Sequence, residues 1–376
     1  MPDTSSFSIP RTGGARHSGA RDPSGPDCLL SIVVPTCDRP RSLEVLLNAI
    51  GDDLGCRTDI EILVVDNHPL STARPAFATA TAAALRVLRY VSERRIGLHH
   101  ARHAGALAAR GELIAYLDDD VLIMPGWIEA ILRAFRDFPA AACIGGKVLA
   151  AWELTPPEWV TRFPSTYLSL LNLGDQRRRL VFPEGVFGCN MVVRRDVLFG
   201  VGGFNPDSFS DRRLLWLRGD GETGLHEKLS LGGYEVVYEP AATVRHRIPA
   251  SRLTVSHFKW RAFNQGISDS YSMIRRHPSR SRLLTTTAAS AAGLARASAA
   301  KVARPARDSV VSLVTEAYWR GRFGHQLRTL VLPTLYRHVT RSSYLDEPSR
   351  VPASRGERGI RTDWQRRGDD NVEDTQ

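Results

Sequence analysis

The sequence has no apolar run long enough to cross a membrane, because no stretch approaches the roughly 18 apolar residues of a spanning helix. An apolar signal core near the start is also absent. There is no G-x-S-x-G, H-E-x-x-H or P-loop motif, which argues against hydrolase, zinc-protease and P-loop enzymes. Only five cysteines occur in 376 residues, without C-x-x-C spacing. An odd, scattered set of thiols favours a cytoplasmic chain with buried, reduced cysteines.

Positive charge exceeds negative charge: 50 Lys and Arg against 40 Asp and Glu give a formal net charge of +10. Part of the excess lies in the arginine runs at 177–179, 194–195 and 275–276. Aromatic residues are not interleaved with these runs as in nucleic-acid modules, so we expect no nucleic-acid partner. Anionic small molecules and an anionic membrane surface are the candidate partners that suit this charge.

Composition divides the chain into four parts. Residues 1–27 and 346–376 are polar or charged without apolar periodicity, so both segments are expected to be disordered. Strand and helix patterns alternate from residue 29 to about residue 116, which predicts a doubly wound, mostly parallel sheet in an α/β domain over residues 28–250. Residues 251–345 carry long helical patterns and are expected to form a helical C-terminal appendage.

Several predicted strands run into acidic residues. Asp38, Asp66 and the aspartates after residue 117 each follow an apolar run. Parallel strands place their carboxyl ends at one edge of the sheet, where open α/β sheets bind ligands, so a site is expected there. The predicted strands cover 29–35, 60–66, 85–91, 113–117, 142–148, 187–193 and 235–238, and the predicted helices cover 41–50, 73–84, 96–110 and 125–138.

Three consecutive aspartates, Asp118, Asp119 and Asp120, follow the fourth predicted strand. Adjacent carboxylates repel one another, so the cluster needs either solvent or a bound cation. Alternate side chains of an extended segment share a face, which predicts that Asp118 and Asp120 hold one metal ion while Asp119 faces away, towards sugar or ribose hydroxyls. The alternative is a solvated turn in which one aspartate caps the next helix.

Six blocks, taken in order and spacing, resemble those of the family 2 glycosyltransferases over roughly residues 29–250. They are IVVPTCDR (32–39), VVDN (64–67), GLHHARHAG (97–105), GELIAYLDDD (111–120), GCNMVVR (188–194) with GGF (202–204), and GET (221–223) with GGY (232–234) and YEPAATVRH (238–246). The resemblance implies a GT-A fold, a nucleotide-sugar donor, a Mn²⁺ or Mg²⁺ ion, and sugar transfer with inversion.

Carried over by position, the resemblance implies roles for individual residues. The nucleotide side would be formed by Pro35, Thr36 and Asp38 on the first loop and by Asp66, which falls on the acid that contacts the base. The metal side would be formed by Asp118 and Asp120, which take the Asp-x-Asp positions, and by His246, which falls near the metal or diphosphate.

Inverting transfer also needs a carboxylate that takes the proton of the acceptor hydroxyl. The family resemblance places this role on the aspartate of a Glu-Asp pair, and alignment backward from 233–234 puts Glu222 there. The chain has Gly221 before Glu222 instead of the pair, so Asp220 is the second candidate. The alternative is that Glu222 only interacts with the N-terminus of the helix predicted over 225–231.

Other motifs lead to weaker predictions. The histidines at 99, 100 and 103 could suggest a metal cluster, but without flanking acids a solvated or phosphate-facing helix is the better interpretation. Arg94, Arg95 and Arg102 lie around the helix start at Gly97 and are either diphosphate contacts or exposed arginines. Residues 219–224 fit G-x-G-x-x-G, but the charged stretch before them does not suit a central strand, which argues against a dinucleotide site. Trp152 and Trp216 are either sugar-stacking or core residues.

Together these features predict a metal-dependent inverting glycosyltransferase that uses a UDP- or dTDP-sugar. The acceptor is left open among saccharide, lipid-linked and small-molecule hydroxyls. Two alternatives are a sugar-phosphate nucleotidyltransferase, whose Gly-rich activating loop is not found after the first strand, and a non-catalytic nucleotide-binding scaffold. Apolar residues among the arginines of 251–345 either pack on the catalytic domain or on a second subunit, or contact an anionic membrane.

Overall fold

The computed structural model describes residues 28–68, 82–209, 211–303 and 309–345. The segments predicted to be disordered, 1–27 and 346–376, lie outside these residues, as does most of the helix predicted over 73–84. In the described part the strands are β1 (Leu30–Thr36), β2 (Ile60–Asp66), β3 (Leu88–Ser92), β4 (Leu113–Leu117), β5 (Val121–Ile123), β6 (Ala141–Trp152), β7 (Arg178–Leu180), β8 (Asn190–Arg194) and β9 (Glu235–Ile248). The helices are α1 (Pro40–Leu54), α2 (Ala82–Val87), α3 (Leu98–Ala108), α4 (Trp127–Asp137), α5 (Arg195–Gly200), α6 (Gly221–Leu231), α7 (Val255–Arg276), α8 (Arg280–Ala303), α9 (Ser309–Val331) and α10 (Pro333–Val339).

The described strands form one sheet in the order β3-β2-β1-β4-β8-β6-β9-β5, and β7 pairs with β9. The first four strands in this order are mutually parallel. Ile32 and Val34 pack in the same core as α1, whereas Val33 between them packs in the core of α3. Helices therefore cover both faces of the sheet, which explains why β1 and β2 are buried along their whole length.

The second half of the sheet mixes directions. Strand β8 runs antiparallel to both β4 and β6, while β6 and β9 are parallel. The α/β class with a central sheet and a helical C-terminal region is confirmed. Strand β9 is much longer than the predicted 235–238, because its continuation past Pro240 pairs with β5 and with the end of β6.

Two other predictions about the described elements were wrong. Residues 85–87, predicted as strand, belong to α2, and β3 begins only at Leu88. Cys56 is exposed, although Cys143 and Cys189 are buried as expected, and all five cysteines are free thiols. No helix of the described residues is long and apolar enough to cross a membrane.

The C-terminal helices pack tightly on one another. A Cβ added to Gly266 of α7 would lie 2.1 Å from the carbonyl oxygen of Tyr318, and one added to Gly321 of α9 would lie 2.0 Å from that of Phe263. Only glycine permits this approach of the two backbones. A core that includes Phe258 and Val314 joins α7 and α9 to the segment around Val160 and Leu168, so the helical region is continuous with the sheet domain.

Candidate active site

Two adjoining cavities lie at the carboxyl edge of the parallel strands. The aspartate cavity, about 430 Å³ in volume, is lined by Pro35, Thr36 and all three consecutive aspartates. The glutamate cavity, about 590 Å³ in volume, is lined by Glu222 among others. Asp118 lines both, so the structure brings the predicted metal-binding acids and the predicted base to one continuous site.

The aspartates form a turn rather than an extended segment. The backbone N–H of Val121 donates to the carbonyl oxygen of Asp118 over 3.2 Å. One guanidinium nitrogen of Arg39 contacts Asp119 over 2.8 Å and Asp120 over 3.1 Å. The prediction that Asp119 faces away from its neighbours was therefore wrong, because the turn breaks the two-residue alternation. The solvated-turn alternative does not hold either: Asp119 is only 4% exposed, and the carboxylate that accepts from the start of α4 is that of Asp53, which binds the backbone N–H of Ile128 over 2.8 Å.

Asp119 connects the first loop to the aspartate turn. The hydroxyl of Thr36 donates to its carboxylate over 2.7 Å. Burial raises the pKa of Asp119 to about 6, although the charge of Arg39 opposes this effect. Asp119 is thus held by Thr36 and Arg39 inside the cavity wall.

Asp120 lies beside two arginines and His246. Arg252 donates to its carboxylate over 2.8 Å, and Nε2 of His246 lies 3.4 Å away. Burial alone would raise the pKa of Asp120, but its partners, among them the cationic Arg252 and Arg39, outweigh that effect and lower it below its ordinary value. The pairing of Val121 with His246 between β5 and β9 brings the histidine to this position.

His246 presents Nε2 to the cavity. Its Nδ1 lies 3.0 Å from the carbonyl oxygen of Leu168, so Nδ1 carries the proton and Nε2 is an acceptor. Arg252 contacts that Nε2 over 2.7 Å. Nε2 of His246 therefore has the lone pair that a metal ion would use. The guanidinium of Arg252 lies beside that lone pair, so the position favours a cation.

Arg102 connects the two cavities. Its guanidinium lies 3.5 Å from Asp118 and 3.3 Å from Glu222, and the side chain is almost fully buried against Phe204. Burial opposes the charged form, but Asp118 and Glu222 outweigh it and raise the pKa of Arg102. Of the two interpretations from the sequence, an exposed arginine and a site residue, the structure places Arg102 in the site. Arg95 instead pairs with Glu93 over 2.6 Å.

Glu222 lies at the start of α6 and points into the glutamate cavity. It accepts a hydrogen bond from the backbone N–H of Gly188 over 3.1 Å. A Cβ at Gly188 would lie 2.4 Å from Arg102 and 2.5 Å from Glu222, so glycine is required for this arrangement. Burial raises the pKa of Glu222, while Arg102 opposes the rise.

Asp220 has a different environment. It is buried and accepts from Asn205 over 2.7 Å and from Ser272 of α7 over 2.6 Å. Burial raises its pKa, and these two hydrogen bonds oppose the rise. Both carboxylate oxygens are thus bonded to protein groups, and Asp220 connects the start of α6 to α7.

The residues predicted to contact the nucleotide differ in whether they line the aspartate cavity. Asp66 is buried and accepts from the hydroxyl of Tyr90 and the backbone N–H of His68, each over 3.1 Å. Its neighbour Asn67, rather than Asp66 itself, lines the aspartate cavity. Asp38 is exposed, has φ of 57°, and is not among the residues that line that cavity.

The expectation of a solvated helix at the three histidines was wrong, whereas one of the two interpretations of Trp216 holds. His99, His100 and His103 are buried rather than solvated, and Nε2 of His103 accepts from the backbone N–H of Phe204 over 2.9 Å. They pack α3 against the segment that carries Phe204. Trp216 packs on Phe263 and under Arg328 outside both cavities, as the core interpretation expects.

Sequence reasoning missed the contribution of the C-terminal region. Arg252, His257, Trp260, Arg261 and Asn264 all line the aspartate cavity. The only sequence signal for them was proximity, since Arg252 follows His246 by six residues. Helix α7 therefore forms a wall of the site.

The carboxylate and imidazole atoms around the aspartate turn suit a metal ion that a bound ligand also coordinates. Among the described residues, no three His, Cys, Asp or Glu side chains are grouped closely enough to hold an ion alone. Mg²⁺ is commonly held by only one or two carboxylates together with substrate phosphates. Asp118 and Asp120 are the carboxylates of the aspartate cavity that fit an ion of that kind, completed by diphosphate oxygens, and Nε2 of His246 lies beside Asp120.

The central sheet is parallel on one side and carries the aspartate turn at the carboxyl edge of that side, which is where open α/β sheets bind ligands. The glycosyl transferase family 2 model matches residues 31–199. Over these residues the chain is similar to the family 2 glycosyltransferases. The match ends before Glu222 and His246, so their roles rest on geometry and on the resemblance alone.

Curated relatives support the same family. The chain is 27% identical over 190 residues to a glucosyl-dolichyl phosphate glucuronosyltransferase of Haloferax volcanii, covering 48% of this chain and 58% of the relative. It is 27% identical over 233 residues to a pre-mycofactocin glycosyltransferase of Mycobacterium tuberculosis, covering 60% of this chain and 44% of the relative. The chain thus spans about half the length of these relatives. A solved mannosyltransferase of Pyrobaculum calidifontis, in complex with GDP-mannose and Mn²⁺, is 17% identical with a TM-score of 0.49, over 81% of this chain and 87% of that one.

Proposed function

We propose that the protein transfers a sugar from a nucleotide-diphosphate donor to an acceptor hydroxyl with inversion at the anomeric carbon. The observation that carries this proposal is the bridge through Arg102, which holds Asp118 of the aspartate cavity and Glu222 of the glutamate cavity on one guanidinium. A donor in the first cavity and an acceptor in the second then meet at Asp118. We propose UDP- or dTDP-sugars as donors.

The aspartate cavity suits the leaving diphosphate. Asp118, Asp120 and His246 would hold Mn²⁺ or Mg²⁺, and such an ion supplies positive charge to the leaving group. Arg39 and Arg252 both contact Asp120, so they add cationic groups beside the diphosphate. Pro35, Thr36, Asp38 and Asp66 remain our proposed nucleotide-side residues, with Asn67 added because it lines the cavity.

Glu222 is our proposed general base. As the acceptor oxygen forms its bond to the anomeric carbon, the bond from that carbon to the diphosphate oxygen breaks, and the hydroxyl proton moves to a Glu222 oxygen. The backbone N–H of Gly188 holds the carboxylate in place. Its raised pKa makes it a better proton acceptor than an ordinary glutamate. We assign Asp220 a positioning role, because both its oxygens are bonded to protein groups.

The acceptor is a saccharide, lipid-linked or small-molecule hydroxyl, and an anionic membrane surface is a suitable place to meet a lipid-linked one. Most apolar residues of the C-terminal helices pack in cores, but Leu284, Leu327, Val331 and Leu332 are exposed. Ser298 donates to Glu316, and Gly293 lies against Trp319, so α8 and α9 are antiparallel and Leu284 lies near the end of α9. Exposed arginines at 280, 282, 328 and 337 lie close to these apolar residues in the sequence, on α8, α9 and α10, and we call this set of residues the basic apolar corner.

The test is donor binding followed by turnover. UDP-glucose, UDP-N-acetylglucosamine, UDP-glucuronate, dTDP-glucose and GDP-mannose are titrated calorimetrically with and without Mn²⁺, and any sugar nucleotide that binds is then followed for release of its nucleoside diphosphate. We expect Mn²⁺-dependent binding of at least one donor and its slow hydrolysis. Binding without hydrolysis or transfer would instead indicate a nucleotide-binding scaffold.

A further inference from the structure

The junction between the two cavities is the place where the transferred sugar must lie, if the proposed function holds. Asp118, Arg261 and Asn264 are among the residues that line both cavities. Asp118 follows β4, whereas the other two belong to α7, which lies beyond the family match at 31–199. The C-terminal region thus reaches the point where donor and acceptor meet.

Asn264 has an unusual environment for a helical asparagine. Its side chain is only 4% exposed, and its Oδ1 is buried without a hydrogen-bond partner among the described residues. Leaving a buried polar atom unpaired is unfavourable, so such atoms in native structures need an explanation. A rotation of the side chain towards the cavities would let Oδ1 accept from a ligand hydroxyl, because Asn264 lines both of them.

Arg261, one turn earlier on α7, already has two hydrogen-bond partners in the protein. Its guanidinium donates to the carbonyl oxygens of Tyr167 over 2.9 Å and Thr166 over 3.3 Å. These bonds fix the arginine against the opposite wall of the junction. Arginine has no acceptor atom, so Asn264 is the α7 side chain at the junction with an unpaired acceptor.

The position of α7 is fixed from both sides. The close contacts at Gly266 and Gly321 hold it against α9. On the site side, Ser268 donates to the carbonyl oxygen of Gly219 over 2.7 Å, and Ser272 donates to Asp220. Asn264 is thus held at a set distance from the segment that carries Glu222, as a specificity residue requires.

We propose that Asn264 recognises the sugar being transferred, by accepting a hydrogen bond from one of its ring hydroxyls at the junction of the two cavities. This inference rests on the proposed function but adds a residue outside every family block in the sequence. It makes α7 part of the donor-sugar site and gives the helical region a role in sugar selectivity.

The test separates recognition of the sugar from recognition of the nucleotide. For the sugar nucleotide that the wild-type protein binds, the dissociation constant is measured beside that of its free nucleoside diphosphate, both with Mn²⁺. Asn264→Ala should weaken sugar-nucleotide binding about 10-fold, the effect of one hydrogen bond, and leave nucleoside-diphosphate binding unchanged. Asn264→Ser, which keeps an oxygen acceptor, should recover part of the loss.

Ser256→Ala is the matched control. Ser256 is an exposed residue of α7 that lines neither cavity. Its replacement should leave the affinity difference between the two ligands as in wild type. The melting temperature of free Asn264→Ala should not fall, because the replacement removes an unpaired buried atom.

Three results would overturn the inference. Unchanged sugar-nucleotide affinity in Asn264→Ala means that Asn264 does not contact the sugar. Equal weakening of both ligands with a lower melting temperature means that Asn264 only supports the fold. If the wild-type protein binds none of the five sugar nucleotides, the proposed function fails, and the inference fails with it.

Discussion

The guanidinium of Arg102 lies 3.3 Å from the carboxylate of Glu222, inside a wall of the site where the arginine is 2% exposed. The same guanidinium reaches Asp118 over 3.5 Å. Charge at the proposed base is therefore coupled to charge at the proposed metal ligand. Gly188 permits this contact, since any side chain there would overlap both partners.

Replacement of the proposed base should separate the roles of Glu222 and Asp220. Glu222→Gln should lower kcat by about 10²-fold or more with little change in donor affinity, because only the proton acceptor is lost. Asp220→Asn should mainly lower the melting temperature, because it weakens the bonds to Asn205 and Ser272. An active Glu222→Gln together with an inactive but folded Asp220→Asn would reverse the two assignments.

A methyl group at position 188 should impair the reaction without removing any functional group. Gly188→Ala places its Cβ against Arg102 and Glu222, so we expect kcat to fall by about 10-fold or more as the base is displaced. Gly200→Ala is the matched control, because a Cβ there meets nothing within 4 Å. Steady-state kinetics that find wild-type kcat in Gly188→Ala would rule out the proposed position of the base.

The proposal that Asp118 and Asp120 hold one metal ion predicts the same loss of binding in the variants of both residues. Asp118→Asn and Asp120→Asn should each abolish Mn²⁺-dependent nucleotide binding in calorimetry while circular dichroism remains as in wild type, because each removes an anionic ligand. Asp175→Asn is the control, since Asp175 is 88% exposed and forms its ion pair with Lys147. Unchanged Mn²⁺ dependence in both site variants would contradict the assignment.

Much of the fold could be predicted because its strands are short apolar runs between helical patterns. The face of α1 that carries Leu43, Leu46, Leu47 and Ile50 is buried as its spacing indicates. Strand β9 was underestimated because Pro240 and alternating polar residues interrupt its apolar pattern, and only its pairing with β5 and β6 reveals its length.

The site was predictable to the extent that its residues follow strands in sequence. Asp118 and Asp120 do, and they were placed together with Glu222 only through the family resemblance. Arg39 has no motif of its own that indicates contact with two aspartates 80 residues later. Asn264 and Arg252 lie on elements that reach the site through tertiary packing, such as the glycine contacts of α7 and α9, which local patterns do not encode.

The buried His325 of α9 should make stability depend on pH. Burial, together with the charges of His338 and Arg328, lowers the pKa of His325 from about 6.5 to about 3, and its Nδ1 is bonded to the hydroxyl of Ser270. Between these values the unfolded chain binds a proton that the folded chain does not, so stability falls as pH decreases below about 6.5. Urea unfolding at pH 7 and pH 5 should show a smaller decrease in His325→Leu than in wild type. Equal decreases in the two proteins would contradict the shift.

The basic apolar corner should bind anionic membranes. Wild-type protein is expected to float with vesicles of phosphatidylglycerol and phosphatidylcholine at low salt and to be released at high salt, because exposed arginines accompany its apolar residues. The double replacement Leu327→Asp and Val331→Asp should abolish flotation, since it puts acids into the apolar surface. Leu231→Asp is the control, because Leu231 is 79% exposed on α6 and lies outside the corner. If wild-type protein does not bind anionic vesicles even at low salt, the membrane role is wrong, and the exposed leucines and valine at the corner serve another contact.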